Sequence, residues 1–215
     1  IGAREGGAER VVIIERDFMT GGILPQCIHN GFGLHNFSRD LTGPEYAEIY
    51  AEKAAELGIE IKLETMVLDI IPSGSGTPAG QAELHTVTGV SGREGLICIK
   101  AKAVILAMGC RERTRGNIML PGTRPAGIFT AGLAQRFTNI EGYLPGKNIV
   151  ILGSGDIGMI MARRLTFEGA SVKAVVEVMS FIGGLSRNRV QCLDDFNIPV
   201  YLNHTVTYIR GNSRV

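Results

Sequence analysis

The chain is poor in the groupings that usually advertise chemistry. Its four cysteines, Cys27, Cys98, Cys110 and Cys192, are widely spaced and form no CxxC pair. That pattern supports neither a zinc site nor a disulfide framework, and it reads as reduced thiols, most of them buried. Lys and Arg total 22 against 21 Asp and Glu, a net charge of +1, so there is no broad field for a nucleic acid or an anionic membrane. The longest apolar runs, such as 103–108, fall far short of the roughly 20 residues a membrane span requires. Ile1 heads no signal-peptide pattern, and a cytoplasmic location is expected. His35, His85 and His204 are isolated from other ligand-type residues, so no metal is expected. Cys98, Cys110 and Cys192 have no base nearby in sequence and no Gly-x-Ser-x-Gly elbow occurs, which leaves a hydrolytic nucleophile without support.

What the chain does hold is glycine, 29 residues of it, roughly twice the usual share of about 7%. Its 215 residues suffice for one large or two modest domains. Ala3-Arg4-Glu5 with Gly6-Gly7 reads as a helix end and turn, and Val11 to Ile14 as a buried parallel strand. No period holds from Thr20 to Phe37, which reads as a long ordered loop. Thr42, Pro44 and Glu45 mark a capped helix that Gly58 stops. Strands are expected at Ile59 to Leu63, Met66 to Ile71, Ala82 to Thr88 and Leu96 to Ile99, with a turn at 73–76; with no helix between them they imply an antiparallel meander. Ala103 to Ala107 reads as another buried strand, and Arg111 to Gly127 as a linker. From Lys147 onward the order is strand (148–152), helix (156–168), strand (172–177), helix (187–196) and strand (199–202), which implies a doubly wound parallel sheet.

Within that last stretch lies Gly153-Ser154-Gly155-Asp156-Ile157-Gly158, a GxGxxG motif. Alone the motif is weak, and a tight turn in an α/β fold is its plainest reading. Here it follows a strand, opens a helix and precedes a second strand ending in Glu177. Gly153 suits the turn, Gly155 a close approach of the backbone to a pyrophosphate, and Gly158 close packing of helix on strand. The unpaired N–H groups and dipole of the helix N-terminus favour the phosphates. Glu177 would accept from the adenosine ribose hydroxyls and repel a 2′-phosphate, which points to NAD rather than NADP; Arg187 and Arg189 keep the second cofactor open.

Ile14-Glu15 repeats the pattern of a strand ending in an acid, and its own glycine motif would lie some 20 to 30 residues upstream, before residue 1. The runs Val12 to Asp17 with Gly21-Gly22, Ala103 to Gly109, Gly127 to Gly132 and the Gly153 motif, taken in order, resemble the flavoproteins with two dinucleotide-binding domains, the pyridine nucleotide-disulfide oxidoreductase superfamily. Arg111-Glu112-Arg113 and the stretch from Gly127 to Gln135 are similar to the flavoprotein subunits of amine and opine dehydrogenases and to oxidoreductases encoded beside glycerol-3-phosphate dehydrogenase. The resemblance implies an α/β fold of two Rossmann-like domains, with a β-meander in the first. Residues 1–114 would be an FAD-binding domain lacking its first strand and phosphate loop, and 115–215 an NAD-binding domain incomplete at its C-terminus.

The implied chemistry is hydride transfer between NAD(H) and FAD, serving a small-molecule substrate or electron acceptor. Carried onto this chain, Glu15 would hold the FAD ribose, Gly21 and Gly22 would pass near the flavin, and Val67 would meet the adenine through its backbone. Ala107 and Gly109 would line the groove. Gly153, Ser154, Gly155, Asp156, Ile157, Gly158 and Glu177 would bind NAD. The chain departs from the superfamily's disulfide reductases in having neither a CxxxxC after the glycine pair nor a CxxC in the second domain, so a dithiol mechanism is not expected. A partner subunit, a homodimer and a non-catalytic nucleotide-binding module all stay open. Cys27 and His29 would lie near the isoalloxazine ring as candidates for proton transfer, against the plainer reading in which the cysteine packs and the histidine bonds its own loop.

Overall fold

The computed structural model describes residues 1–73 and 84–215, which fall into two compact units, Ile1–Gly109 and Cys110–Val215.

The first unit opens with α1 (Gly2–Glu5) and β1 (Val12–Ile14). The segment expected to be an aperiodic loop contains short elements: a 3₁₀ turn at Leu24–Gln26, β2 (Asn30–Phe32) and α2 (Leu34–Phe37). Each is too short for a period to show in sequence. β3 (Leu41–Thr42) pairs antiparallel with β2 and leads into α3 (Gly43–Glu56). The start of α3 follows from its residues. The Glu45 carboxylate accepts from the Thr42 backbone N–H and hydroxyl, both at 2.8 Å, while Thr42 Oγ1 accepts from Glu45 N–H. Those bonds, the backbone one foremost, hold the Glu45 carboxyl below the usual carboxylate range. The helix buries Ala47 and Ala54 and crosses over to β4 (Glu60–Lys62), which pairs in parallel with β1. β1 is parallel as expected but only half-buried, with Ile13 37% exposed.

β5 (Thr65–Ile71), β6 (His85–Ser91) and β7 (Gly95–Ala101) then pair antiparallel in that order. Of the strand expected at Ala82 to Thr88, residues 82–83 lie outside the described residues and β6 takes up the rest from His85, and the turn expected at 73–76 lies outside the described residues apart from Ser73. The buried strand expected at Ala103 to Ala107 is not formed: no strand among the described residues pairs with it, and Ile105 is 78% and Leu106 61% exposed. A run of β-branched and apolar residues supplies strand propensity, but a ladder also needs a neighbour.

The second unit contains α4 (Ala131–Asn139), which the sequence pattern did not announce; Thr130 caps it by accepting from Leu133 N–H. β8 (Asn148–Leu152), α5 (Asp156–Phe167), β9 (Ser171–Glu177), α6 (Ser186–Cys192), a 3₁₀ turn at Asp194–Phe196 and β10 (Val200–Leu202) follow within a residue or two of expectation, except that α6 ends early. The parallel sheet runs β10-β9-β8. Met159, Met161, Ala162 and Leu165 on α5 pack with Val172 and Val175 of β9 and with Cys192, Leu193 and Ile198. Burying each of the larger side chains contributes about 1.5–3 kcal/mol, and this core fixes the helix against the sheet at the end where the glycine motif lies.

Candidate dinucleotide site

At the carboxyl end of β8 the chain turns through Gly153, whose φ of +99° lies in the region glycine favours. Its N–H donates to Val176 O at 2.7 Å, tying the turn to β9. Gly155 caps α5 in extended conformation, and a Cβ built there would meet nothing within 4 Å. Gly158 is the opposite case: a Cβ would stand 3.1 Å from Gly153 O and 3.3 Å from Ile151 Cγ2. The motif therefore has one glycine that turns the chain, one facing open space at a helix N-terminus and one pressed against the strand. That is the arrangement a pyrophosphate needs.

Glu177 ends β9 beside this turn, 7% exposed. Its Oε2 accepts from Ser154 N–H at 2.9 Å and Ser154 Oγ–H at 2.6 Å, and its Oε1 from Met179 N–H at 2.9 Å. Burial pushes the carboxyl pKa up, but the bonds from the Ser154 hydroxyl and from the Met179, Ser154 and Val178 backbone outweigh it, so the pKa lies below the ordinary value. The acid is thus anchored in the turn as well as placed beside it, a role its spacing alone did not show.

Ser154 is fully buried and also accepts from Gly183 N–H at 2.8 Å, while its carbonyl accepts from Gly184 N–H at 3.0 Å. Asp156 Oδ1 accepts from Leu185 N–H at 2.8 Å and Asn188 Nδ2 at 2.7 Å. A Cβ at Gly184 would lie 2.5 Å from both Asp156 Oδ1 and Met159 Cε. The segment from Met179 to Asn188 is therefore clasped to the glycine motif. Sequence reasoning missed Gly183, Gly184 and Asn188; the Gly-Gly pair after β9 was the available signal, but its partners lie about 30 positions away. Ile157, half-buried, packs on the core.

Glu112, noted in sequence only within a basic-acidic-basic run, receives Gly132 N–H at 2.8 Å on both carboxylate oxygens. It is an acidic cap on the first turn of α4. Glu112→Ala is expected to lower stability by about 1 kcal/mol, read as a shift of the urea transition without a change in its slope.

In the first unit Glu15 follows β1, and its Oε1 accepts from Asp17 N–H at 2.8 Å. Glu15, Thr20, Gly21, Tyr50 and Ile61 line a groove of about 250 Å³. Gly21 and Gly22 both have positive φ; a Cβ at Gly21 would strike Ala47, and one at Gly22 would meet nothing. Val67 pairs with Gly89 at a register shift in β5. Ala107 and Gly109 lie exposed in the unpaired segment.

Cys27 is 5% exposed; its N–H donates to Leu24 O at 2.8 Å and its carbonyl accepts from Gly43 N–H at 2.9 Å. His29 Nδ1 lies 2.9 Å from Asn30 O, and its ring lies tilted against Phe32 with centroids 5.3 Å apart. Its Nε2 is shielded from solvent and finds no hydrogen-bond partner among the described residues. Cys98 and Cys110 are exposed and only Cys27 and Cys192 buried, which corrects the expectation that most of the thiols are buried. Among the described residues no cluster could hold a metal, and no helix is long and apolar enough to cross a membrane.

The sequence pattern of the pyridine nucleotide-disulphide oxidoreductases matches residues 79–215. An opine oxidase subunit from Agrobacterium tumefaciens (strain Ach5) is 30% identical over 117 residues, 54% of this chain and 22% of that protein. The corresponding opine oxidase subunit from Rhizobium meliloti is 28% identical over 135 residues, 63% of this chain and 25% of that protein. The chain thus spans about a quarter of these relatives. Thioredoxin reductase from T. acidophilum superposes with a TM-score of 0.69 at 22% identity, over 99% of this chain and 62% of that one. At that identity the likeness is one of fold, an α/β dinucleotide-binding fold.

Proposed function

Because the chain belongs to the pyridine nucleotide-disulphide oxidoreductase family, whose members depend on FAD and NAD(P), we propose that its second unit binds NAD(H) at the Gly153 motif and that its first contributes to an FAD site, serving an NAD(H)-linked flavin oxidoreductase. The observation that carries the reading is the pairing of open space at Gly155 with an anchored, ionised Glu177 on the neighbouring strand. The N-terminus of α5 would receive the pyrophosphate, Gly155 would let it approach, and Glu177 would hold the adenosine ribose and repel a 2′-phosphate. In the first unit Glu15 would hold the second ribose, with Gly21 and Gly22 passing beside the flavin. The unpartnered His29 Nε2 fits a polar contact supplied by that group. Bound together, the two cofactors supply hydride transfer between nicotinamide and flavin. The cysteine spacing favours a route without a redox dithiol in this chain.

The opine oxidase relatives favour a more specific reading, in which the whole protein is the flavoprotein subunit of an amine- or opine-type dehydrogenase working with a partner subunit. Substrate profiling against amines and opines, with and without the partner, separates this from a simple NADH:acceptor oxidoreductase.

Glu177→Ala tests the nicotinamide site. Loss of hydrogen bonds to a charged group is worth about 1.5–3 kcal/mol, so the Kd for NADH is expected to rise about tenfold to a hundredfold, with discrimination against NADPH falling in parallel. Titration of NADH fluorescence measures both. Unchanged affinity and selectivity would remove Glu177 from the site.

A further inference from the structure

If Glu177 selects the cofactor, its carboxylate must be held in one orientation, and nothing in a carboxylate on a strand end fixes which oxygen faces outward. Here Ser154 holds one oxygen and the Met179 N–H the other. Ser154 donates from both its backbone N–H and its hydroxyl to the same oxygen, Oε2, leaving Oε1 as the oxygen turned away from Ser154. A serine hydroxyl has one proton to give and lone pairs to accept. Gly183 N–H fills the accepting side at 2.8 Å, which commits that single proton to Glu177. The hydroxyl therefore joins three separate chain segments: the glycine motif, the end of β9 and the loop that follows it. Ser154 is fully buried, so water cannot replace the bond.

We propose that Ser154 is a positioning residue for cofactor selectivity, setting the orientation of the Glu177 carboxylate and the path of the Met179–Leu185 segment so that NADH is accepted and NADPH refused. The proposal rests on the reading of the Gly153 motif as the nicotinamide dinucleotide site. Ser154 contributes through Glu177 and not by touching the cofactor's reacting ring. It follows that the serine's effect on selectivity requires a carboxylate at position 177. Removing the hydroxyl takes one of the two Ser154 bonds from Oε2, leaving the backbone N–H at 2.9 Å, and releases the Gly183 anchor, which weakens the grip on the ribose diol without admitting a 2′-phosphate any better than the residual negative charge allows.

The test is a double-mutant cycle on the chain, read as Kd for NADH and for NADPH by fluorescence titration, with thermal melts run alongside. Ser154→Ala, which removes atoms and adds none, is expected to raise the Kd for NADH about tenfold, the loss of one charge-assisted hydrogen bond, and to leave the Kd for NADPH within about twofold. In the Glu177→Gln background the same substitution is expected to change the NADH:NADPH ratio by less than about twofold, because the charge it orients is gone. A purely structural serine would instead weaken both cofactors equally and in both backgrounds. If wild-type protein binds neither cofactor, the nicotinamide reading itself fails. If wild type prefers NADH and Ser154→Ala keeps that preference unchanged, or lowers it equally in the Glu177→Gln background, the positioning role is overturned while the site stands.

Discussion

Gly155→Thr is expected to leave the fold untouched and to weaken NADH binding about tenfold to a hundredfold. Gly155 caps α5 with φ −66° and ψ 160°, a conformation open to any residue, and a Cβ there meets no atom within 4 Å. Threonine caps a helix about as well as glycine does, so the thermal midpoint should move by no more than a degree or two, equivalent to about 0.5 kcal/mol. The space the side chain fills is the space through which a pyrophosphate must approach the N–H groups of α5. Crowding of that kind costs about 1–3 kcal/mol, a rise in Kd of about tenfold to a hundredfold. Calorimetry and a melting curve on the same protein check both halves. Full NADH affinity in a stable Gly155→Thr protein would mean that the dinucleotide lies elsewhere.

Gly43→Ala is expected to destabilise the first unit. Its Cβ would run into the carbonyl oxygen of Leu24 and stand 2.6 Å from Cys27 O and 2.9 Å from Cys27 Cβ. Two of these neighbours are backbone atoms that cannot swing aside, and the displacement would also break the Gly43 N–H bond to Cys27 O. Overpacking and the lost bond together are expected to cost about 3 kcal/mol, visible as an early urea transition. Thiol titration gives an independent readout. In the unaltered chain Cys98 and Cys110 are exposed and should react at once, while Cys27 and Cys192 are buried and should lag. Burial pushes the Cys192 thiol pKa up, with Arg163 and Arg187 offsetting only part of the effect, so it should stay slow. In Gly43→Ala a third thiol, Cys27, joins the fast phase. A normal urea transition with the two-thiol fast phase unchanged would show that this close approach relaxes without cost.

The elements legible in the sequence share one property: their signals are local. Thr42, Pro44, Glu45 and Gly58 announce both ends of α3 because capping groups act within a turn of the residue they cap. The glycine motif was legible for the same reason, its turn, open cap and tight packing all lying within six residues. The reading of 103–107, which depended on partners distant in sequence, went astray. The 103–107 run has the composition of a buried strand, yet among the described residues it has no ladder neighbour and stays exposed. The segment at 24–37 hid short elements because a helix of four residues completes barely one turn and leaves no period to read. α4 escaped because half of its N-terminal capping comes from Glu112, some 20 residues earlier.

The glycine motif, its strand and helix, and the acid that ends the next strand were determined by the sequence alone, since each rests on residue types at short fixed spacing. Only the tertiary structure decided how that acid is held. Ser154, Glu177 and Gly183 meet because β8, β9 and the loop after β9 are brought side by side by the packing of α5 against the sheet, through Met159, Met161 and Val175. Hydrogen bonds among groups 23 and 29 positions apart have no period and no composition to announce them. They form when the hydrophobic core sets the distances, and the chemistry of the site is settled at that step.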